Sequence, residues 1–456
     1  MRRKLPTGIS NYEEIVRDNC IYIDKTMYIE KLENLSDKRI MFLRPRKFGK
    51  TLFTSTLENY YDILKEDKFE KLFKNTYIGK NSTDLKNSYN ILRFNFSGID
   101  TTNMETTISG FKREVASSIT VFVEKYGLDF YINENDEAEA ILDNLFKAFY
   151  IQKADERIYV IIDEYDHFAN ELLGFRTDEF KNLVAKNGKI RKWYEILKKG
   201  TETVVERIFI TGVAPITLDS TTSGFNIAKD ITKDVEFNDM LGFSKEDVKY
   251  LMRELEIDEK TQKRLMPIIK TNYDGYVFSS EIDSKEIEKY KMYNSNMTLF
   301  FLNEYKRFNE EPRQLVDINI ISDYSKIEAF MDLCKNMNKI GILEKIVSGE
   351  PIESELTEKF NAEIEFGEKE LISLLYYLGY LTIKENEFGI LKFGSPNDVI
   401  KKIYSEYFLE YTRRRAGINE ELKVGDMTKE ILIEGKIEKA IEILRKYLKR
   451  IIKQRL

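Results

Sequence analysis

Apolar residues along this chain gather in short unbroken runs separated by longer stretches of helical spacing. Ile40-Met-Phe-Leu43, Ile158-Tyr-Val-Ile-Ile162 and Ile208-Phe-Ile210 are runs of β-branched and aromatic residues with no polar alternation. Such runs predict strands buried on both faces, which is the mark of a parallel sheet. Residues 91–99, Ile-Leu-Arg-Phe-Asn-Phe-Ser-Gly-Ile, alternate and predict a further strand. Between them, Thr51–Leu64 places Leu52, Leu57, Tyr60 and Leu64 on one helical face, residues 103–150 read as helical around an acidic insert at Asn133–Glu139, and Phe180–Lys199 reads as helical again. Strands separated by helices predict an α/β domain, a parallel sheet with helices on both faces and ligands beyond the strand C-termini.

Three strand tips carry polar residues. The first runs into Arg44-Pro-Arg-Lys-Phe-Gly-Lys-Thr51. A backbone able to curl around phosphate, a Lys for the β- and γ-phosphates and a hydroxyl for Mg²⁺, all at a helix N-terminus, make a phosphate-binding P-loop. Gly49, Lys50 and Thr51 supply these parts, while Arg44 stands where the full pattern has its first Gly. The second tip is Asp163-Glu164-Tyr-Asp166. In P-loop ATPases the first acid orients Mg²⁺ and the next polarises the attacking water, so Asp163 and Thr51 are candidate metal residues and Glu164 a candidate catalytic one. The third tip is Thr211-Gly212, with Thr211 a candidate γ-phosphate sensor.

These residues resemble the bacterial AAA-ATPase-like family. The resemblance rests on Leu5-Pro-Thr-Gly8-Ile, Tyr22-Ile-Asp24-Lys25-Thr26, Arg44-Pro45-Arg46-Lys47-Phe48-Gly49-Lys50-Thr51, Ile162-Asp163-Glu164-Tyr165-Asp166, Phe209-Ile-Thr211-Gly212-Val213 and Leu241-Gly242-Phe243-Ser244. It extends through Tyr273-Asp274-Gly275-Tyr276 and Tyr293-Asn294-Ser295. It implies a site for ATP with Mg in which Arg44, Arg46, Phe48, Gly49, Lys50, Thr51 and Leu52 contact the nucleotide, with Arg44 or Arg46 adding charge. It also implies that the Thr211 strand lies between the P-loop strand and the Asp163 strand. Family members carry a C-terminal PD-(D/E)XK nuclease domain. The residues after 415 are read as holding no strand-borne Asp followed by the Glu-x-Lys pair that such a nuclease uses to hold metal, so none is expected in this chain.

Domain expectations follow from the shifts in pattern: a P-loop domain over 1–243, a helical lid over 244–315, a winged-helix-like α+β module over 316–415 and a helical tail over 416–456. Ser244-Lys-Glu-Asp247 reads as a capping box that opens the lid. The module is expected to have a helix at 326–337, a helix at Glu368–Leu378, strands at Tyr380–Glu385 and Phe388–Phe393, and a helix opening at Ser395-Pro396 with Ser as its N-cap. A winged helix suggests DNA, but the candidate recognition helix begins Glu368-Lys-Glu370. That acidic start favours packing against protein over base contacts.

Composition narrows the classes. Across 456 residues, 33% are charged and 42% hydrophobic, a globular balance. No run approaches the roughly 18 apolar residues of a membrane helix and the N-terminus lacks a signal peptide's apolar stretch, so no membrane partner and a cytoplasmic location are expected. Two Cys and one His leave no soft-metal site. The net charge of -6 argues against nucleic acid as the main partner, apart from weak binding through Arg445, Lys446, Lys449, Arg450, Lys453 and Arg455 in the tail. The expected function is a Mg-dependent ATPase. The alternative is a nucleotide-dependent switch with little hydrolysis, regulating a nuclease or other partner, as a homo-oligomer or with another protein.

Overall fold

The computed structural model describes residues 3–133, 135–168, 188–216, 227–315, 331, 339–360, 366–387 and 389–415. Five strands form the main sheet: β1 (Arg39–Leu43), β2 (Asn90–Asn95), β3 (Ile158–Asp163), β4 (Val205–Gly212) and the short β5 (Lys229–Asp230). Their order is β2-β3-β4-β1-β5, and every pairing is parallel. The Thr211 strand therefore separates the P-loop strand from the Asp163 strand, as the resemblance implies. The register sets Phe42 beside Thr211 and Asn95 beside Asp163, which brings the strand C-termini to one edge.

Alternation along the strands divides two cores. Met41, Leu43, Val160, Ile162, Ile208 and Ile210 face the helices Met104–Tyr126, Ala138–Gln152 and Lys189–Gly200 through Phe111, Val115, Leu145, Trp193 and Leu197. Ile40, Phe42, Tyr159, Ile161 and Phe209 face the opposite way, toward Phe53, Leu57, Tyr60 and Tyr61 of the helix Lys50–Tyr61. Burial on both faces is why the strand sequences show no polar alternation.

Several expected boundaries shift for local reasons. The first helix stops at Tyr61 because Asp62 turns extended and its carboxylate caps the following 3₁₀ turn at Leu64 N–H. The strand expected over 91–99 ends at Asn95. The helical stretch 103–150 is two helices, broken where Gly127 adopts φ +65°. The Ser244 capping box forms as expected: Ser244 Oγ accepts from Asp247 N–H and Asp247 returns the bond.

Beyond it come the helices Glu259–Tyr273, Ser295–Phe308 and Lys339–Ser348, then a second sheet. This is antiparallel, in the order β6-β8-β7, from β6 (Ile352–Ser354), β7 (Thr382–Glu387) and β8 (Ile390–Gly394), with the helices Glu368–Tyr377 and Asp398–Arg415 beside it. The last helix is not capped by Ser395: Asn397 Oδ1 accepts from Ile400 N–H at 3.2 Å, and the helix starts one residue later. The helix expected at 326–337 and the tail after 415 lie outside the described residues, apart from Met331. In sequence the tail does hold a Glu-x-Lys triplet, Glu434-Gly-Lys436. Among the described residues no helix is long and apolar enough to cross a membrane.

Candidate functional site

The loop from Arg44 to Gly49 leaves β1 and enters the helix Lys50–Tyr61 with two residues in the left-handed region, Lys47 at φ +70° and Gly49 at φ +96°. Gly49 faces open space, where an added Cβ would meet no atom within 4 Å, so backbone conformation rather than crowding demands glycine here. Lys50 is almost wholly buried. Its ammonium donates to the carbonyls of Arg44 at 3.1 Å and Pro45 at 3.3 Å and lies 3.6 Å from Glu164 Oε1.

A cleft of about 490 Å³ opens over this loop. Arg46, Lys47, Gly49, Lys50, Thr51, Asn95, Glu164 and His167 line it with polar groups and backbone, with Phe48 and Leu52 also contributing. Ile9, Ile21, Ile23, Leu241, Phe243 and Leu299 supply apolar lining. A lining that combines charged and apolar side chains suits a phosphorylated ligand with a flat apolar portion.

At the tip of β3, Asp163 is fully buried. Arg93 lies 3.6 Å from its Oδ2, Thr54 Oγ1, which donates to Thr51 O at 2.9 Å, lies 3.4 Å from the same oxygen, and the Thr51 hydroxyl is near enough to draw the carboxyl down. Oδ1 has no hydrogen-bond partner. Burial, and secondarily the neighbouring Glu164, push the Asp163 carboxyl up, against the pull of Arg93 and Lys50. Glu164 itself turns sharply out of the strand at φ +54°. Burial alone would raise its carboxyl, but Lys50, Arg46 and His167 outweigh that and hold it below its ordinary value. An orphaned buried carboxylate oxygen beside a helix-borne hydroxyl fits Mg²⁺ held through few protein contacts, the usual manner for a nucleotide-bound magnesium. Among the described residues no group of three or more His, Cys, Asp or Glu side chains gathers that could hold a metal.

Three candidates, Asp163, Thr211 and Arg44, are not among the residues that line the cleft. Thr211 is buried and its hydroxyl donates to Phe42 O at 2.8 Å, spent on the β1–β4 pairing. Arg44 points away from the cleft lining. Its guanidinium lies between the rings of Phe42 and Phe278, with CZ 4.1 and 4.3 Å from their centroids. It donates to the carbonyls of Leu43, Thr232, Phe237 and Asn238. Burial lowers it to about 9, so it stays charged at neutral pH. The residue in the first-glycine position is thus a brace under the loop.

Phe48 extends the brace. Its ring meets Tyr276 and Phe278 edge-on at 4.9 and 5.2 Å, and its carbonyl accepts from Gly242 N–H and Ser295 Oγ. Tyr376 OH donates to Phe278 O, and a Cβ on Gly379 would come within 2.8 Å of Pro45. The P-loop is therefore packed against the helix Glu368–Tyr377 and the turn that follows it.

Sequence patterning overlooked Asp166 and Gly212. The buried Asp166 carboxylate accepts from the N–H groups of Val213 and Ala214, and a Cβ on Gly212 would sit 2.1 Å from Asp166 Oδ1. This latch tethers the turn carrying Glu164 to the end of β4. The acidic pair after Asp163 was the available signal, with three acids in four residues where two suffice for metal and water.

Comparison with known proteins agrees with this layout. Residues 6–222 match the AAA-ATPase-like family, described as "Predicted AAA-ATPase". A protein of Azotobacter chroococcum mcd 1, named "Uncharacterized protein in vnfD 5'region", is 26% identical over 249 residues. That match covers 54% of this chain and 44% of the relative, so the chain spans less than half of that protein's length. Residues 6–222 of the chain are thus similar to the AAA-ATPase-like family, a match over somewhat less than half of the chain.

Proposed function

We propose that the chain binds ATP with Mg²⁺ in the cleft over the P-loop and hydrolyses it. The observation that carries this reading is the meeting of Lys50 and Glu164 at 3.6 Å beside a buried Asp163 with one bare oxygen. In a P-loop ATPase the lysine meets the β- and γ-phosphates and the acids serve metal and water. Here Lys50, Arg46 and the Gly49–Thr51 backbone would hold the phosphates, Thr51 and Asp163 the magnesium, and Glu164 the attacking water. Magnesium would neutralise phosphate charge and polarise the transferred group. ATP rather than GTP follows from the likeness of residues 6–222 to the AAA-ATPase-like family.

A second reading is a nucleotide-dependent switch with little turnover, in which the second sheet and its helices form a winged-helix-like module and 244–315 a lid. It is favoured by the direct packing of Phe48 and Pro45 on Tyr276, Phe278 and Gly379. The deciding experiment is ATP titration and steady-state turnover of wild type and Lys50→Ala. Binding and turnover in wild type, both lost in Lys50→Ala, support the ATPase. Tight binding without turnover supports the switch, and unchanged affinity in Lys50→Ala overturns both.

A further inference from the structure

Arg93 is a half-buried cation between the buried Leu92 and Phe94 of β2, paired in register with Ile161 of β3. Burying a guanidinium is costly unless its donors are used. Its donors are used on one side only. NH1 bonds Glu58 Oε2 at 3.0 Å, NH2 bonds Thr54 Oγ1 at 3.2 Å, and NH2 also lies 3.6 Å from Asp163 Oδ2. Thr54 and Glu58 sit four residues apart on the helix that begins at Lys50, so they present one face to β2 and β3.

The network continues away from the cleft. Glu58 Oε1 pairs with Lys125 at 3.4 Å, Lys125 with Asp62 Oδ2 at 2.7 Å, and Tyr126 OH donates to Asp62 Oδ1 at 2.9 Å. Charges alternate from Asp163 through Arg93, Glu58 and Lys125 to Asp62, so every internal member is compensated on both sides. The chain is anchored at a helix and at the sheet. Asp163 is its terminal member, and its Oδ1 has no hydrogen-bond partner.

We propose that Arg93 is a positioning residue for the metal: through its ion pair with Asp163 Oδ2 it restrains that carboxylate and leaves Oδ1 for the magnesium of the bound nucleotide. This rests on the nucleotide-binding reading above. A carboxylate with one oxygen held by a neighbouring cation has fewer orientations open to it, so its other oxygen is placed before any ligand arrives. Partners that orient a metal-directed carboxylate in this way are worth about 10- to 100-fold in metal affinity. The rival role for the same geometry is a competitor, in which Arg93 neutralises Asp163 and weakens its hold on a cation. The two predict opposite signs.

The full chain is titrated with an ATP analogue carrying a non-hydrolysable β–γ bridge, once with Mn²⁺ followed by electron paramagnetic resonance and once in excess chelator. Wild type, Arg93→Met and Arg93→Lys are compared. Arg93→Met is expected to weaken Mn²⁺ binding in the ternary complex by about 10-fold or more while its chelator-phase affinity stays close to wild type. Arg93→Lys keeps the charge but lacks the fork that reaches Glu58 and Thr54 together. It is expected to fall between the two, and it carries the test alone if the Met variant does not fold. Equal Mn²⁺ affinity in wild type and the folded variants, tighter Mn²⁺ binding in a variant, or equal losses with and without metal overturns the assignment. A wild type that binds no analogue overturns the nucleotide reading itself, and the Arg93 role with it.

Discussion

Lys50 Nζ lies 3.6 Å from Glu164 Oε1, and both side chains are largely withdrawn from solvent. The cation assigned to phosphate and the carboxylate assigned to water are thus each other's partners. In the proposed ATPase, phosphate arriving at Lys50 would draw it away from Glu164 and leave that carboxylate to a water molecule.

Glu164→Gln keeps the size and a hydrogen-bond acceptor but removes the charge. Its expected turnover is lower by on the order of 10² or more, the usual worth of a positioned general base. ADP affinity is expected to hold or improve, since Lys50 loses a competing partner. Steady-state turnover and an ADP titration measure the two separately. Intact turnover removes Glu164 from the chemistry.

Arg44 makes a different kind of prediction. Arg44→Met leaves the buried carbonyls of Thr232, Phe237 and Asn238 without their donor. Stranded buried polar groups cost about 1–3 kcal/mol each, so the denaturation midpoint should fall markedly. Arg44→Lys should recover little, because an ammonium cannot lie flat between Phe42 and Phe278 while reaching four carbonyls. If Arg44 instead served the phosphates directly, Arg44→Lys would lose nucleotide affinity with no loss in the denaturant midpoint.

Gly212→Ala places a methyl group 2.1 Å from Asp166 Oδ1 and 2.6 Å from the Tyr165 ring. Overpacking of this kind costs typically about 1–3 kcal/mol. The strain falls on the turn that carries Glu164, so turnover should drop at temperatures where the variant is still folded. Melting curves alongside turnover at low temperature test this, and a variant with wild-type turnover would uncouple the latch from the site.

What patterning along the chain revealed and what it hid divide along a physical line. The strands were legible because Ile158–Ile162 and Ile208–Ile210 are apolar on both faces, a property of the strand itself. The parts of the site near in sequence, Gly49 to Thr51 and Asp163 to Glu164, were legible because their chemistry is local. Arg44 was not: its acceptors at Thr232, Phe237 and Asn238 and its ring at Phe278 are roughly 190 to 230 residues away. A cation in a phosphate loop looks the same in sequence whether it faces ligand or core. The Thr211 hydroxyl was hidden likewise, since only the register with Phe42 reveals what it donates to.

For the tail, six basic residues between Arg445 and Arg455 predict weak DNA binding, without sequence preference, that falls steeply with salt as counterions are released. Binding measured at several salt concentrations, with and without residues 436–456, checks this. Sequence-specific binding that survives the deletion would move the contact elsewhere.

Asp166 sets a pH dependence whose sign can be worked out. Burial, and then the charge of Glu164, push its carboxyl up to about 6, although the N–H groups of Val213 and Ala214 and the charge of Lys50 pull the other way. The ordinary value is 3.8. A folded-state value above the unfolded one means the folded chain holds the proton more tightly, so this group's contribution to stability is fully present below about pH 4. It declines as pH rises through about 6 and is flat beyond, with a span on the order of 2–3 kcal/mol. Asp166→Asn cannot titrate and keeps one acceptor for the two N–H groups. The stability of wild type minus that of Asp166→Asn, from denaturant curves at pH 4 to 8, should therefore fall between pH 4 and 6 and then level. A difference that rises across that window would mean the two N–H donors and Lys50 overcome burial and keep Asp166 ionised, making the latch an anionic one held by the end of β4.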